Sequence, residues 1–311
     1  MKYKLYKLDF KTAVHFGNGS LNDSGNTFAA DRLFSALCIE ALNKSQDELN
    51  SLYNAAADGK LIFSDGMPYI DDTYYIPKPI MHINRDTESS STVKKAFKKL
   101  DYIPADKIDT FISGRLDPKA ENEKLDKLGM ADLKTSAAVR TEDGDALPYR
   151  VGTFSFNKNC GLYFIAGFEN DDIFYAFDDL MYSLGYSGIG GKISSGLGKF
   201  IAASYEVPQY MLERLNGSFE RYISLSVAMA KDNELEKALD GAEYMLIKRS
   251  GFISSQTYAD TFRKKKELYC FKAGSCFSHK FYGHIFDLSE GGNHPVYRYA
   301  KPLMMGVDIN E

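Results

Sequence analysis

The chain has 311 residues, enough for two domains with cores of their own, and a formal net charge of −4. That charge excludes binding of nucleic acid by bulk electrostatics, so any polyanion needs a local basic track. The 44% hydrophobic content is ordinary for a globular protein, no apolar run approaches the roughly 20 residues of a bilayer span, and the opening MKYKLYKLDF alternates charged and apolar residues unlike a leader. With four cysteines in no tight pattern, the expectations are no membrane, no disulfide framework and a cytoplasmic location.

Tyr3, Leu5, Leu8 and Phe10 mark a first strand, followed by the polar loop HFGNGSLNDSGN from His15 to Asn26. FAADRLFSALCIEAL (Phe28–Leu42) is the strongest helix, with Leu33, Ala36, Leu37 and Glu40 at helical spacing and Asn26 or Thr27 placed to cap it. A second helix spans Gln46–Ala57. YYIPKPI (Tyr74–Ile80) is extended, because prolines at alternate positions remove donors. Residues 84–148 change character, with serines, the basic run KKAFKK (Lys94–Lys99) and mixed charges, and are expected to form an insertion of short helices rather than a third domain.

TFSFNKNCGLYFIAGF (Thr153–Phe168) carries a hairpin signal: two aromatic alternating strands around an Asn/Gly turn. A helix over 170–184 presents Phe174, Phe177, Leu180, Met181 and Leu184 to the core. A glycine loop, GYSGIGGKISSGLGKF (Gly185–Phe200), follows, and KFIAASYEV leaves it as a strand. The order is β-α-β-β-α-β, a ferredoxin-like unit over 1–206 with 84–148 inserted. Residues 207–311 repeat a shorter version: a strand at Arg221–Ala230, a short helix ELEKALDG, the strand AEYMLIKRSG, further strands between Leu268 and Asp287, and a last one at Tyr299–Asp308. The expected class is α+β, two ferredoxin-like (RRM-like) domains.

Glycines let backbone N–H groups approach an anion, and lysine supplies countercharge. Counting excludes the two familiar phosphate motifs. A Walker-type loop needs glycine five residues before its Gly-Lys pair, where Gly191-Lys192 has Tyr186 and Gly198-Lys199 has Ile193; a dinucleotide loop needs glycine where Ile193 stands. On the functional reading the loop lies against a sugar-phosphate backbone, with Ile189, Ile193 and Leu197 as anchors and Lys192, Ser194, Ser195 and the Gly190–Gly191 amides as donors, beside Gly196. On the plain reading it is a connector.

The glycine loop resembles the signature loop of the RAMP superfamily of CRISPR proteins. HFGNG (His15–Gly19), FAADRLFSALCIEAL, YIPKPI and, near the C-terminus, YAKPLMMG are together similar to one branch, subunit four of type III-A (Csm) effector complexes. Only the 84–148 insertion lacks a matching motif. The resemblance implies two ferredoxin-like domains, recognition of the 5′ handle of CRISPR RNA (crRNA), and contacts with the large signalling subunit and the backbone subunit (subunit three). Target RNA would be met only indirectly. It implies no catalysis by this chain and no cofactor.

The RNA-binding candidates are then His15, Phe16, Gly17, Arg32, Lys78, Tyr186, Gly190, Gly191, Lys192, Ser194, Ser195, Gly196 and Lys301. Phe16, Tyr186 and Phe28 are aromatic enough to stack a base, and equally suited to a core. Arg32 reaches a phosphate, or pairs with Asp31 or Asp9. Lys78 and Lys301 sit in the proline-flanked segments PKP and AKP, which fix a lysine's direction for RNA or for a plain turn. Lys199 begins a strand and points to solvent on the plain reading.

RAMP relatives that process precursor RNA use a histidine, so a rival reading makes the chain a metal-independent endoribonuclease with His15 as general acid or base. A second rival is a ferredoxin-like protein whose loop holds a mononucleotide. Cys270, Cys276, His279 and His284 match no zinc spacing, so no metal is expected. KKAFKK and RKKK (Arg263–Lys266) are solvated faces or tracks for an acidic partner, and the insertion is expected to project as a thumb with Met130 or Leu133 near its tip.

Overall fold

The computed structural model describes residues 1–308 except 18, 84–90, 139–146, 254, 256 and 262. Its axis is the strand Cys160–Phe168, in which every residue is buried. Both edges of that strand are taken. Lys2–Phe10 pairs along one edge, with Leu5 opposite Ile165, while Leu61–Phe63 and Met67–Ile70 share the other. Phe200–Glu206 lies outside Lys2–Phe10, and Thr73–Pro77 and Tyr102–Pro104 extend the far side. All pairings in this seven-stranded sheet are antiparallel.

Three helices, Ala30–Lys44, Gln46–Ala57 and Asp171–Ser187, cover one face. Leu33, Phe34 and Leu37 from the first and Phe177, Leu180 and Leu184 from the third close over Tyr6, Phe63 and Phe164 of the sheet. The opposite face, with Leu5, Tyr163 and Ile165, packs against Ile223, Leu225, Cys276 and Met305 of the C-terminal half. Side chains alternate faces along a strand, so Lys2–Phe10 serves both layers at once. Full burial of each such side chain is worth about 1.5–3 kcal/mol, and the two halves are held by one shared apolar core.

The hairpin expected at Thr153–Phe168 does not form. Both strands exist, but Leu147–Phe156 pairs with Gly129–Ala138 in a ten-residue ladder running from Gly129 opposite Phe156 to Ala138 opposite Leu147. Since both edges of Cys160–Phe168 are occupied, its neighbour in sequence has no edge there to join. Among its described residues the insertion therefore holds three short helices, Ser91–Lys99, Ile108–Ile112 and Pro118–Leu125, and the sheet strand Tyr102–Pro104, followed by the first arm of this long hairpin. Met130 and Leu133 are exposed but face Ser155 and Gly152 toward the base of the hairpin, not its tip. Its turn, 139–146, lies outside the described residues.

Neither Asn26 nor Thr27 caps the first helix. Its N-cap is Ala29, and the carboxylate of Asp65 accepts from Ala30 N at 2.7 Å and also from Val227 N at 3.0 Å. The acceptor satisfies one of the helix's free N–H groups.

The C-terminal half is less regular than expected. Arg221–Ser224 lies between Cys276–Phe277 and Met304–Val307 in a three-stranded sheet, and two separate hairpins pair Leu246–Arg249 with Leu268–Phe271 and His284–Asp287 with Tyr297–Ala300. The strand read as Arg221–Ala230 stops at Ser224, whose hydroxyl donates to the carbonyl of Ser226 at 2.6 Å and so turns the chain. Among the described residues no helix is long and apolar enough to cross a membrane.

Candidate nucleic-acid interface

The glycine segment is two structures. Gly185 and Tyr186 belong to the last turn of the helix Asp171–Ser187. Gly185 has no room for a side chain, since a Cβ would sit 2.6 Å from the Phe200 carbonyl oxygen, so its absence of a side chain serves packing. Tyr186 is 65% exposed and shares a 3.0 Å hydrogen bond with the hydroxyl of Tyr182. The loop proper starts at Gly188.

Its apex is Lys192, a non-glycine residue at φ 59°. The left-handed region costs an L-residue roughly 1–2 kcal/mol, so the loop holds this lysine against its local preference. The Lys192 ammonium lies 4.8 Å from the centroid of the Tyr149 ring, on the insertion hairpin. Ser194 and Ser195 are exposed beside it. Of the three expected anchors only Ile189 is buried; Ile193 is exposed and Leu197 half-buried.

The loop is stitched to the exit of the first strand. Gly198 N donates to Ala13 O at 2.9 Å and Gly191 N to His15 O at 2.8 Å, while Val14, between them, pairs with Phe154 of the hairpin. Successive residues of this short extended stretch thus face the loop and the hairpin in turn. The Gly191 amide is consumed by His15, and the Ser195 and Gly196 amides by Lys192 O and Ile193 O. Among the described residues the amides of Gly190, Lys192, Ile193 and Ser194 have no acceptor, so the donors are shifted from those the sequence singles out.

His15 is buried, with Nδ1 2.7 Å from the Gly152 carbonyl oxygen. A carbonyl can only accept, so Nδ1 carries the proton. Phe16 is 1% exposed and packs on Phe10 and Phe28, which is also buried; neither ring can stack a base, and both are core residues. Gly17 is exposed, and its carbonyl accepts from Arg32 Nη2 at 3.3 Å.

Arg32 pairs with neither Asp31 nor Asp9. Its guanidinium lies over the Phe16 ring at 5.5 Å. Asp31 turns inward, where Arg249 grips both carboxylate oxygens at 2.6 and 3.1 Å and Arg298 bonds one of them. Burial pushes the Asp31 carboxyl up, but the two arginines outweigh it and hold it at about 2. Burial and the like charges of Arg249 and Arg298 bring Arg32 down to about 10, against Asp31. Among the described residues Arg32 has no salt-bridged carboxylate, and it lies next to the His15–Gly17 segment.

Two expected phosphate ligands are structural. Lys78 donates to the Phe97 carbonyl at 2.6 Å and Lys301, 4% exposed, to the Ala57 carbonyl at 2.9 Å. Each satisfies the end of a helix whose last carbonyls lack partners. The fixed direction that proline gives these lysines is used inside the fold. Lys199 is exposed, and its backbone N–H donates to Thr12 Oγ1 at 3.0 Å. Cys270 and Cys276 are buried core thiols, and His279 sits 3.3 Å from Asp240.

Sequence reasoning missed Asp65, Tyr149 and the Arg249–Asp31–Arg298 cluster. None has a local signal, for each partner lies far along the chain. A cavity of about 900 Å³ opens elsewhere, over the sheet at Ile201 and Tyr205. Its Lys7, Lys11 and Lys158 are balanced by Asp9, Asp71 and Asp72, which leaves no field for a polyanion.

The site thus combines an antiparallel sheet with helices on one face and a glycine-rich loop between the last of those helices and the final strand of that sheet, the arrangement that the RAMP resemblance implies. A family model described as the CRISPR Csm4 C-terminal domain matches residues 218–307. The chain is 38% identical over 309 residues to the CRISPR system protein Csm4 of Mycobacterium tuberculosis, covering 99% of this chain and 98% of that one. It is 35% identical over 318 residues to Csm4 of Streptococcus thermophilus, covering 99% and 100%. The fold is similar to a chain of the Csm3–Csm4 subcomplex of a type III-A CRISPR-Cas interference complex (TM-score 0.66, 17% identity, 99% of each chain) and of a Csm1–Csm4 cassette with AMPPNP (TM-score 0.60, 18% identity, all of each chain). The chain belongs to the Csm4 family of type III-A CRISPR subunits.

Proposed function

We propose that this chain is a non-catalytic RNA-binding subunit of a type III-A interference complex, which caps the crRNA 5′ handle and joins a large signalling subunit to the backbone filament. The observation that carries the reading is the Lys192 apex: a strained lysine with open amides on either side, on a loop bonded to His15 and touching the insertion hairpin, while Arg32 bonds Gly17 two residues further along that strand exit. Loop amides and unpaired cations are what a single strand's phosphates need. Relatives solved with Csm3 and with Csm1 support the two protein partners. Two ferredoxin-like units, 1–206 complete and 207–311 reduced, belong to the same proposal. The endoribonuclease reading loses ground because the His15 ring is buried and its Nδ1 proton is committed to Gly152.

The test is a tagged chain isolated from its native host, with the 5′ ends of retained RNA sequenced. A shared short 5′ handle, absent from Lys192→Glu while the protein partners stay bound, is the expected result. Retained RNA with random 5′ ends overturns the capping role.

A further inference from the structure

Six residues beyond Arg32, about 9 Å along the same helix, Cys38 lines a second cavity of about 500 Å³. Ile39, Leu42, Leu49 and Val296 supply apolar lining, and Ser35, Ser255 and His294 are among its polar residues. Ser255 and His294 already satisfy each other at 2.7 Å. Among the described residues Lys265 is the one charged residue that lines it, and its ammonium has no carboxylate partner.

Behind Lys265 the charges do not balance. Arg32, Arg249, Arg298 and Lys265 gather around Asp31. The next carboxyl, Asp65, is pushed up to about 7 by burial, against hydrogen bonds from Ala30 and Val227, so it supplies only part of a charge. Arg298 is 5% exposed, and its Nε and Nη2 have no partner among the described residues. Buried N–H groups left unpaired on a charged residue are costly, and like charges at close range add to the cost. Burial and Arg298 lower the Lys265 ammonium, with Asp31 opposing. The cluster is short of an anion.

The ligand class follows from shape as well as charge. The cavity falls within the roughly 300–1,000 Å³ of small-ligand sites, with one cation and a substantial apolar lining. A phosphate joined to a flat apolar body fits that division, whereas an inorganic ion would leave the walls empty. We propose that the cavity binds one nucleotide, with its phosphate at Lys265 and its base against the apolar lining of Leu42 and Val296. The inference rests on the RNA-binding reading for its source: a nucleotide of the bound strand, reached from Arg32 along the helix.

The experiment uses the full chain with two probes, AMP and a 5′-phosphorylated single-stranded 8-nucleotide RNA, and the variants Lys265→Met, Lys265→Arg and Lys192→Glu. Lys265→Met should weaken the RNA tenfold or more, and Lys265→Arg should restore most of it. With ligand absent, Lys265→Met should raise Tm, since it removes a cation from an over-positive cluster, and a merely structural lysine would not do so. Loss of the RNA alone identifies a nucleotide within a strand; loss of AMP as well identifies a site open to free nucleotides. Equal binding of both probes by Lys265→Met and wild type, or no binding of either by wild type, overturns the cavity proposal. RNA binding abolished only in Lys192→Glu overturns the cavity and leaves the loop reading standing. RNA binding abolished only in Lys265→Met does the reverse.

Discussion

The ring of His15 donates from Nδ1 to the carbonyl of Gly152, 137 residues away, at 2.7 Å. The carbonyl of the same residue receives the Gly191 amide. One histidine thus joins the first strand's exit, the insertion hairpin and the glycine loop.

His15→Ala should cost about 1–3 kcal/mol, because it leaves the buried Gly152 carbonyl without its donor. His15→Asn, which places an amide donor near the Nδ1 position, should recover part of that stability and part of the RNA affinity. Thermal melts and fluorescence anisotropy on the three proteins check this. The wild-type chain should also leave CRISPR repeat RNA uncut in EDTA; cleavage that disappears in both variants would restore the nuclease reading.

At Lys192, charge and backbone can be separated. Lys192→Glu should weaken single-stranded RNA at least tenfold, shift Tm little, and lower the salt slope of log K by roughly 0.7, the share of the single phosphate that the lysine neutralises. Lys192→Gly should match or exceed wild-type stability, since glycine is at ease at φ 59°, and should bind more tightly than the glutamate variant.

The buried lysines should behave oppositely. Lys301→Met orphans the Ala57 carbonyl and removes a charge from the interior, so the expected destabilisation is modest, about 1–3 kcal/mol, with the RNA affinity of the folded fraction unchanged. A fall in affinity at constant stability would return Lys301 to the binding surface.

Asp65 gives a pH signature. Burial raises its folded pKa to about 7, against the hydrogen bonds from Ala30 and Val227, so the folded chain holds a proton that the unfolded chain releases near pH 4. Its contribution is complete below pH 4 and is lost as pH rises through 7. Asp65→Asn, which carries no charge at any pH, should therefore gain several degrees in Tm relative to wild type at pH 8 and little or nothing at pH 4. Equal differences at both pH values would show that the carboxylate is ionised throughout.

The sequence was most readable where local pattern and burial coincide. Leu33 and Leu37, and Phe177, Leu180 and Leu184, lie on the faces that helical spacing assigns them, and Gln46–Ala57 forms as read. It misled where a strand's partner is set by competition for edges. Nothing near Cys160 says that Lys2–Phe10 and residues 61–70 will occupy both sides and send Leu147–Phe156 to Gly129–Ala138. At the site, the lysine apex was legible from its glycines, but the destinations of individual donors were not. Lys78 and Lys301 look like Lys192 in one dimension, and only the helix ends beside them show that they are taken.

Cys160–Phe168 lies between the helical layer and the C-terminal half, and Asp65 clasps the start of the first helix and Val227 with one carboxylate. The mechanical consequence is stiffness. Close-packed interiors transmit strain, so a displacement of the C-terminal half would be felt in the strands of the central sheet that share its core. On the proposed reading, such a piece would act as a bracket of fixed angle between the two protein partners, and a shift of one would be felt at the other.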